Sequence, residues 1–252
     1  GESLMLLILT GEGPSDIGAC KGPIGFCRNG DFQPGPMAVL VDQVVSERLN
    51  YSVLSDTPDF VFYVDEDKLR EKADEIRKHR RNLYLPGKRS SQETAHYFKN
   101  AWAFGLIALE VEGGANDVGP AVFFRDSDGT RSTPSADWSA KWCSIEQGFL
   151  RAQNSRGVPM LPKPTSEAWL LCAAQAHPYQ NCDQLEDLPG NQASPKHPKK
   201  ELDKAFGAHK SAAELCTWLS DRPLDLDRAS SMPSFRRFRE RLKEVLDQVV
   251  AA

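Results

Sequence analysis

The chain has 252 residues, 40% of them hydrophobic and 26% charged, with a formal net charge of −4. This balance is that of a soluble globular protein with a sizeable core. It excludes a disordered or disulfide-dense small scaffold and gives no bulk basic charge to announce nucleic-acid binding. No stretch approaches the roughly 18 apolar residues of a membrane span, and Met5–Leu9 is too short, without a basic leader, for a signal-peptide core. The six cysteines, Cys20, Cys27, Cys143, Cys172, Cys182 and Cys216, form no C-x-x-C pair. They read as free core thiols, with an unspecific zinc grouping as the alternative, and a reducing, cytoplasmic location is the default expectation.

Residues 5–10 predict a buried strand, broken by Gly11, Gly13 and Pro14. Cys20–Pro36 is a Gly/Pro-rich loop, long enough to be functional. Met37–Leu49 has helical spacing, Asp59–Val64 is a second strand, and Asp65–Arg81 is a charged amphipathic helix. Ser91–Val111 predicts a further helix, ended by Gly113 and Gly114. Ala121–Phe124 is the third strand, residues 137–152 a helix, Val158–Leu161 a short fourth strand, and Ser166–Ala176 a helix capped by Thr165 or Ser166. Asp183–Lys200 is polar and loop-like, and residues 200–206, 211–219 and 233–250 are helical by pattern. Strands and helices alternate to about residue 176, after which helices dominate. The order predicts an α/β fold, a doubly wound parallel sheet of about four strands with a C-terminal helical extension. Residues 1–180 form the expected catalytic domain and residues 181–252 the extension packed on it.

Acidic residues stand where the predicted strands end. Glu12 follows the first strand between two glycines, where the backbone can approach a ligand closely. Asp16 lies four residues on and reads either as a ligand or as a helix cap. Asp126 and Asp128 follow the third strand and share a side if strand geometry persists. Two such carboxylates repel unless a cation or proton lies between them; the competing reading is a surface turn. Glu167 occupies the first turn of the helix after the fourth strand, where the helix dipole alone favours an acid. Lys163, between Pro162 and Pro164, is positioned to neutralise charge developing on a phosphate, or is an ordinary surface lysine. A parallel sheet builds its site at the carboxyl ends of its strands, and oxygen ligands gathered there suit a divalent metal and phosphate chemistry. Basic groups at Arg80, Arg81 and Lys88, at Lys199 and Lys200, and at Arg236 and Arg237 are candidates for nucleic-acid contact; solvated helix faces are the alternative.

Taken together, strand-Gly-Glu-Gly-Pro-Ser-Asp (11–16), the later apolar strand ending in Asp-Ser-Asp-Gly (126–129) and Ser-Glu-Ala-Trp-Leu-Leu (166–171) resemble Toprim domains. The likeness is nearest to the Toprim nucleases of the OLD and RloB-like group and spans roughly residues 5–176. It implies Glu12 as general acid/base or metal ligand, Asp126 and Asp128 as the metal pair, and Glu167 and Asp16 as further acids. It also implies Mg²⁺ or Mn²⁺ and phosphodiester hydrolysis of DNA or RNA, with tRNA among the candidate substrates. Members of the group act in anti-phage defence, often beside an ATPase. This chain has no Walker A motif, so a separate ABC/SMC-like ATPase is the expected partner. A homodimer through the C-terminal helices is a further expectation.

Two other readings stand beside this one. Residues 123–130 also fit the opening motif of haloacid-dehalogenase-type phosphatases, with Asp126 as nucleophile, Asp128 as general acid and Lys163 as the later lysine. That motif belongs to a first strand, however, and Glu12 would be left unexplained. The chain also reads as a non-catalytic Toprim-like binding module.

Overall fold

The structure is a computed structural model that describes residues 4–22, 25–79, 92–127 and 138–251. Four parallel strands form its centre: β1 (Leu7–Gly11), β5 (Val61–Val64), β6 (Ala121–Phe124) and β7 (Gly157–Met160). Between β1 and β5 in the chain lie three short strands, β2 (Gly18–Cys20), β3 (Phe26–Arg28) and β4 (Phe32–Pro34). The sheet order is β3-β5-β1-β6-β7, with β3 antiparallel at the edge, and β2 pairs with β4 as a separate antiparallel ribbon. The expected four-strand parallel sheet is therefore present. The Cys20–Pro36 segment, read as a loop, instead supplies a fifth strand and a hairpin. Each of these strands has three residues, too few to carry an alternation signal.

The helices are α1 (Pro36–Leu49), α2 (Val53–Asp56), α3 (Glu66–His79), α4 (Gln92–Ala115), α5 (Trp138–Arg151), α6 (Ser166–Ala174), α7 (Pro198–Phe206), α8 (Ala212–Asp221), α9 (Leu226–Ala229) and α10 (Pro233–Val250). Pro36 starts α1, where its missing N–H costs nothing, and Asn50 closes it in the left-handed region at φ 60°. Helix α4 passes through Gly113 and Gly114 and ends at Ala115, beyond the expected stop. A helical glycine costs only about 1 kcal/mol against alanine, and packing along α3 and α5 outweighs it. The α4–α5 approach is close enough that a Cβ on Gly148 would lie 2.5 Å from the Phe98 carbonyl oxygen.

Alternation along β1 sends Leu7 and Leu9 to one face of the sheet and Leu6 and Ile8 to the other. The second face packs on α3, α4 and α5 through Leu69, Phe104, Trp142 and Phe149. The first packs on α1 and α6, and its core continues without a break into the C-terminal helices through Leu219, Phe235, Phe238, Leu242 and Leu246. Trp169 of α6 is the hinge of this layer. Its ring lies edge-on to Phe235 at 5.1 Å and stacks on Phe238 at 5.6 Å, while its Nε1 donates to Ser234 Oγ at 2.9 Å.

Four of the six cysteines are paired, Cys20 with Cys27 and Cys172 with Cys182, which corrects the expectation of free thiols. The pairs are far from C-x-x-C spacing; the approach of β2 to β3 and the return of the chain after α6 bring them together. Those four cysteines therefore give no support to a reducing compartment. Cys143 and Cys216 are free, and burial pushes the Cys216 thiol up to about 11. Among the described residues no helix is long and apolar enough to cross a membrane.

Candidate active site

The sheet order places β1 beside β6, with the chain leaving β1 for one side and reaching β6 on the other. This is a topological switch point, where the carboxyl ends of two strands open a crevice. Glu12 leaves β1 at that point, Asp126 stands two residues beyond β6, and Ser166 begins the helix that follows β7.

Ser166 joins two of the predicted acids. Its hydroxyl donates to Asp16 Oδ1 at 2.5 Å, across 150 positions of sequence, and its backbone N–H donates to Asp126 Oδ1 at 2.8 Å. Thr165, in the cap position of α6, makes no side-chain cap bond, so Asp126 serves the helix N-terminus in its place. Ser127 pins the Pro162–Pro164 turn: its N–H donates to the Pro162 carbonyl and its hydroxyl to the Pro164 carbonyl, each at 3.2 Å. Tyr97 fixes the same strand end by donating its hydroxyl to the Asp126 carbonyl at 2.9 Å.

The electrostatics separate this group from an ordinary structural acid. Burial pushes the Asp126 carboxyl well above the usual carboxylate range, and the charges of Asp16, Glu167 and Glu12 push it further; the single Ser166 N–H opposes them. Asp16 is raised by burial and by Glu167, against the Ser166 and Ser15 hydroxyls and the Lys199 charge. Asp42 supplies the contrast. It too is raised by burial, but it receives three donors, Ser52 Oγ at 2.6 Å, Val53 N at 2.8 Å and Leu54 N at 3.1 Å, and so acts as the cap of α2. Among the described residues, Asp126 has one hydrogen-bond donor and three acidic neighbours.

Not every predicted residue joins the group in the same way. Glu12 is half exposed, and its carboxylate is held by Arg125 Nε at 3.0 Å. Arg125 lies over the Tyr97 ring at 5.1 Å. Glu12 and Arg125 line a cavity of about 220 Å³ with His96 and Lys99, whereas Asp16 and Glu167 line a second one of about 120 Å³ with Lys199. The carboxylates therefore flank the crevice from two sides. Among the described residues no three His, Cys, Asp or Glu side chains stand close enough to hold a metal ion. Asp128 lies outside the described residues, as do Arg80, Arg81 and Lys88.

Lys163 is half-buried between its prolines, and its charge acts on Glu186, which also accepts from the Ser234 N–H at 2.8 Å. Among the described residues no hydrogen bond or ion pair joins Lys163 to the acids; the cation whose charge reaches Asp16 is Lys199. Lys200 is tied to the Ala193 and Ser194 carbonyls at 3.3 and 2.9 Å. Arg236 is exposed on α10, and Arg237 stacks on Trp142 at 4.6 Å, so its first role is to hold α10 against α5.

Three residues at the site lie outside the sequence expectation. Ser166 was read only as a cap, and Arg125 carried no motif. Lys141, 3% exposed, donates to the Ser127 carbonyl. Its signal was available, because Trp138, Lys141, Trp142 and Ile145 share one helical face, and a lysine on an apolar face needs a polar partner.

The bridging hydroxyl gives a direct test of this geometry. Replacing Ser166 with alanine removes a hydrogen bond that lowers the Asp16 carboxyl, so that group is expected to titrate at higher pH in Ser166→Ala than in the wild type. Carboxyl ¹³C chemical shifts followed through a pH series read this out; an unchanged Asp16 titration would contradict the bridge.

In comparisons of sequence and of fold, the chain matches no protein-family model, no curated protein and no solved structure. The fold and site described above are what define its class: an α/β protein with a mostly parallel sheet and an acidic crevice at the strand ends.

Proposed function

We propose that the chain is a metal-dependent nuclease of the Toprim type, hydrolysing phosphodiester bonds of DNA or RNA with Mg²⁺ or Mn²⁺. The observation that carries the reading is the bridging of Asp16 and Asp126 by Ser166 at the switch point of the sheet, with Glu167 and Glu12 near enough for their charges to act on Asp126. Carboxylates that raise one another's affinity for protons are carboxylates in want of a cation, and an all-oxygen donor set suits a hard divalent ion. Asp16 and Asp126, bridged by Ser166, are the residues that would hold it, with Glu167 and Asp128 as further acids of the motif; since no three described side chains stand within reach of one ion, water would complete the shell. A bound Mg²⁺ or Mn²⁺ supplies Lewis-acid polarisation of a phosphate and a more acidic water.

The chain's own residues have distinct tasks in this reading. Ser166 orients the Asp16 and Asp126 carboxylates through its hydroxyl and its N–H. Tyr97 and Lys141 hold the backbone of residues 126–127, which fixes the direction of the Asp126 side chain. Glu12, the general acid/base of the reading, is aimed by its ion pair with Arg125. Biologically, an effector role in anti-phage defence beside a separate ABC/SMC-like ATPase follows from the same family resemblance.

The test is cleavage of single-stranded and duplex DNA and RNA by the purified chain. Cleavage in Mn²⁺ or Mg²⁺ that stops on chelation is expected. Intact substrates of every kind in Mn²⁺ would overturn the reading.

A further inference from the structure

The cavity of about 120 Å³ beside Asp16, Ser166 and Glu167 has its opposite wall in the helical extension, where Lys199, His209 and Lys210 line it. Helix α7 brings Lys199, and the turn between α7 and α8 brings His209 and Lys210. The state of these lysines differs from that of their neighbours. Lys204 is paired with Glu201 at 2.6 Å, and Lys200 is spent on the Ala193 and Ser194 carbonyls. Neither the Lys199 nor the Lys210 ammonium makes a hydrogen bond or an ion pair among the described residues. Lys210 lies over the Phe206 ring at 5.1 Å, which holds it at the pocket rim. His209 is held by Asp203 at 3.1 Å. The start of α8 is closed by its own capping box, Ser211 with Glu214, so the positive wall is made by side chains and not by the helix end.

We propose that this pocket is a phosphate subsite for single-stranded nucleic acid, in which Lys199 and Lys210 bind the phosphate next to the one presented to the acids. The inference rests on the nuclease reading and assigns its substrate-holding residues. Two ammonium groups with no hydrogen-bond or ion-pair partner among the described residues, lining the same pocket as Asp16 and Glu167, fit a strand whose successive phosphates meet a metal-binding wall and a cationic wall in turn. The volume decides the kind of contact. At about 120 Å³ the pocket is well below the roughly 300–1,000 Å³ that encloses a drug-sized ligand, so it takes a phosphate and leaves the bases outside. Contacts of this kind set register and affinity but carry no sequence information. Binding at this pocket is therefore blind to sequence, and the extension contributes to substrate affinity and not to the chemical step.

The experiment is fluorescence anisotropy of a short labelled single strand, DNA or RNA, with Ca²⁺ in place of Mg²⁺, across a salt series. The Lys199→Ala/Lys210→Ala double variant is compared with wild type and with Lys200→Ala. Lys199 and Lys200 are exposed and Lys210 is half-buried, and circular dichroism verifies that the variants are folded. The double variant is expected to bind about tenfold more weakly or worse, and its salt dependence is expected to flatten by about 0.7 in slope, the worth of one phosphate on a single strand. Lys200→Ala is expected to match wild type in both. Equal affinity and slope in the double variant and wild type would overturn the subsite, even if the wild type cleaves. Loss of binding in the double variant, with a wild type that never cleaves in Mn²⁺, would keep the subsite and remove the nuclease reading.

Discussion

Asp126→Asn is expected to lower metal-dependent cleavage by at least about 10³-fold, the scale on which loss of a group acting at the reacting centre is felt. Asparagine keeps the oxygen that accepts the Ser166 N–H, so the start of α6 keeps its cap. What it removes is the charge. The same change should make the metal-free protein more stable at neutral pH. Asp126 holds a proton more tightly in the folded chain than in the unfolded one, because burial and the charges of Asp16, Glu167 and Glu12 disfavour its ionised form. A group of this kind favours folding in acid. Its contribution is complete below the unfolded value near 3.8 and is lost as pH rises through its own raised value. Wild type in chelator should therefore lose Tm relative to Asp126→Asn as pH is raised from about 4 towards neutrality, by about 2–4 °C for each kcal/mol of repulsion. Paired cleavage assays and thermal melts check both halves. A variant that cleaves like wild type, or a Tm difference that does not grow with pH, would contradict the assignment.

Trp169→Ala is expected to cost about 3–5 kcal/mol, the range for emptying a large aromatic from a core. It would remove the contacts to Phe235 and Phe238 and leave the buried Ser234 hydroxyl without the indole donor. The consequence concerns the whole chain. Trp169 belongs to α6, which carries Ser166 and Glu167, while both its aromatic partners belong to α10. Leu219, Phe235, Phe238 and Leu242 share one core with Val41 of α1 and Met160 of β7. Residues 181–252 are thus the outer half of one layer on that face of the sheet. Chemical denaturation of Trp169→Ala should show a single transition, shifted as a whole. A separate early transition that left the sheet folded would show that the extension is independent.

The parallel sheet and its acidic ends were legible because each rests on local chemistry. Leu6–Leu9 is apolar on both faces, as a strand covered on both sides requires. Glu12 between two glycines has no use for a core. The hairpin of β2 and β4 and the edge strand β3 were hidden because partners, not patterns, define three-residue strands. Gly113 and Gly114 misled because a helix packed on two neighbours tolerates what an isolated helix does not. The cysteine pairs depended on tertiary return of the chain and left no trace in spacing. Ser166 could be seen as a helix start, but its bridge from Asp16 to Asp126 is a matter of three-dimensional position alone. Lys163 illustrates the converse: closeness to the acids in sequence did not become contact, because the turn that carries it directs its charge to Glu186.

In the proposed function, acids that follow three strand ends share a divalent cation. Anomalous diffraction from a crystal soaked in Mn²⁺ tests it without reference to any substrate. A manganese peak within bonding distance of Asp126 and at least one of Asp16 and Glu167 is the predicted result. An ordered crevice with no peak at saturating Mn²⁺, or a peak bound only elsewhere on the chain, would contradict it.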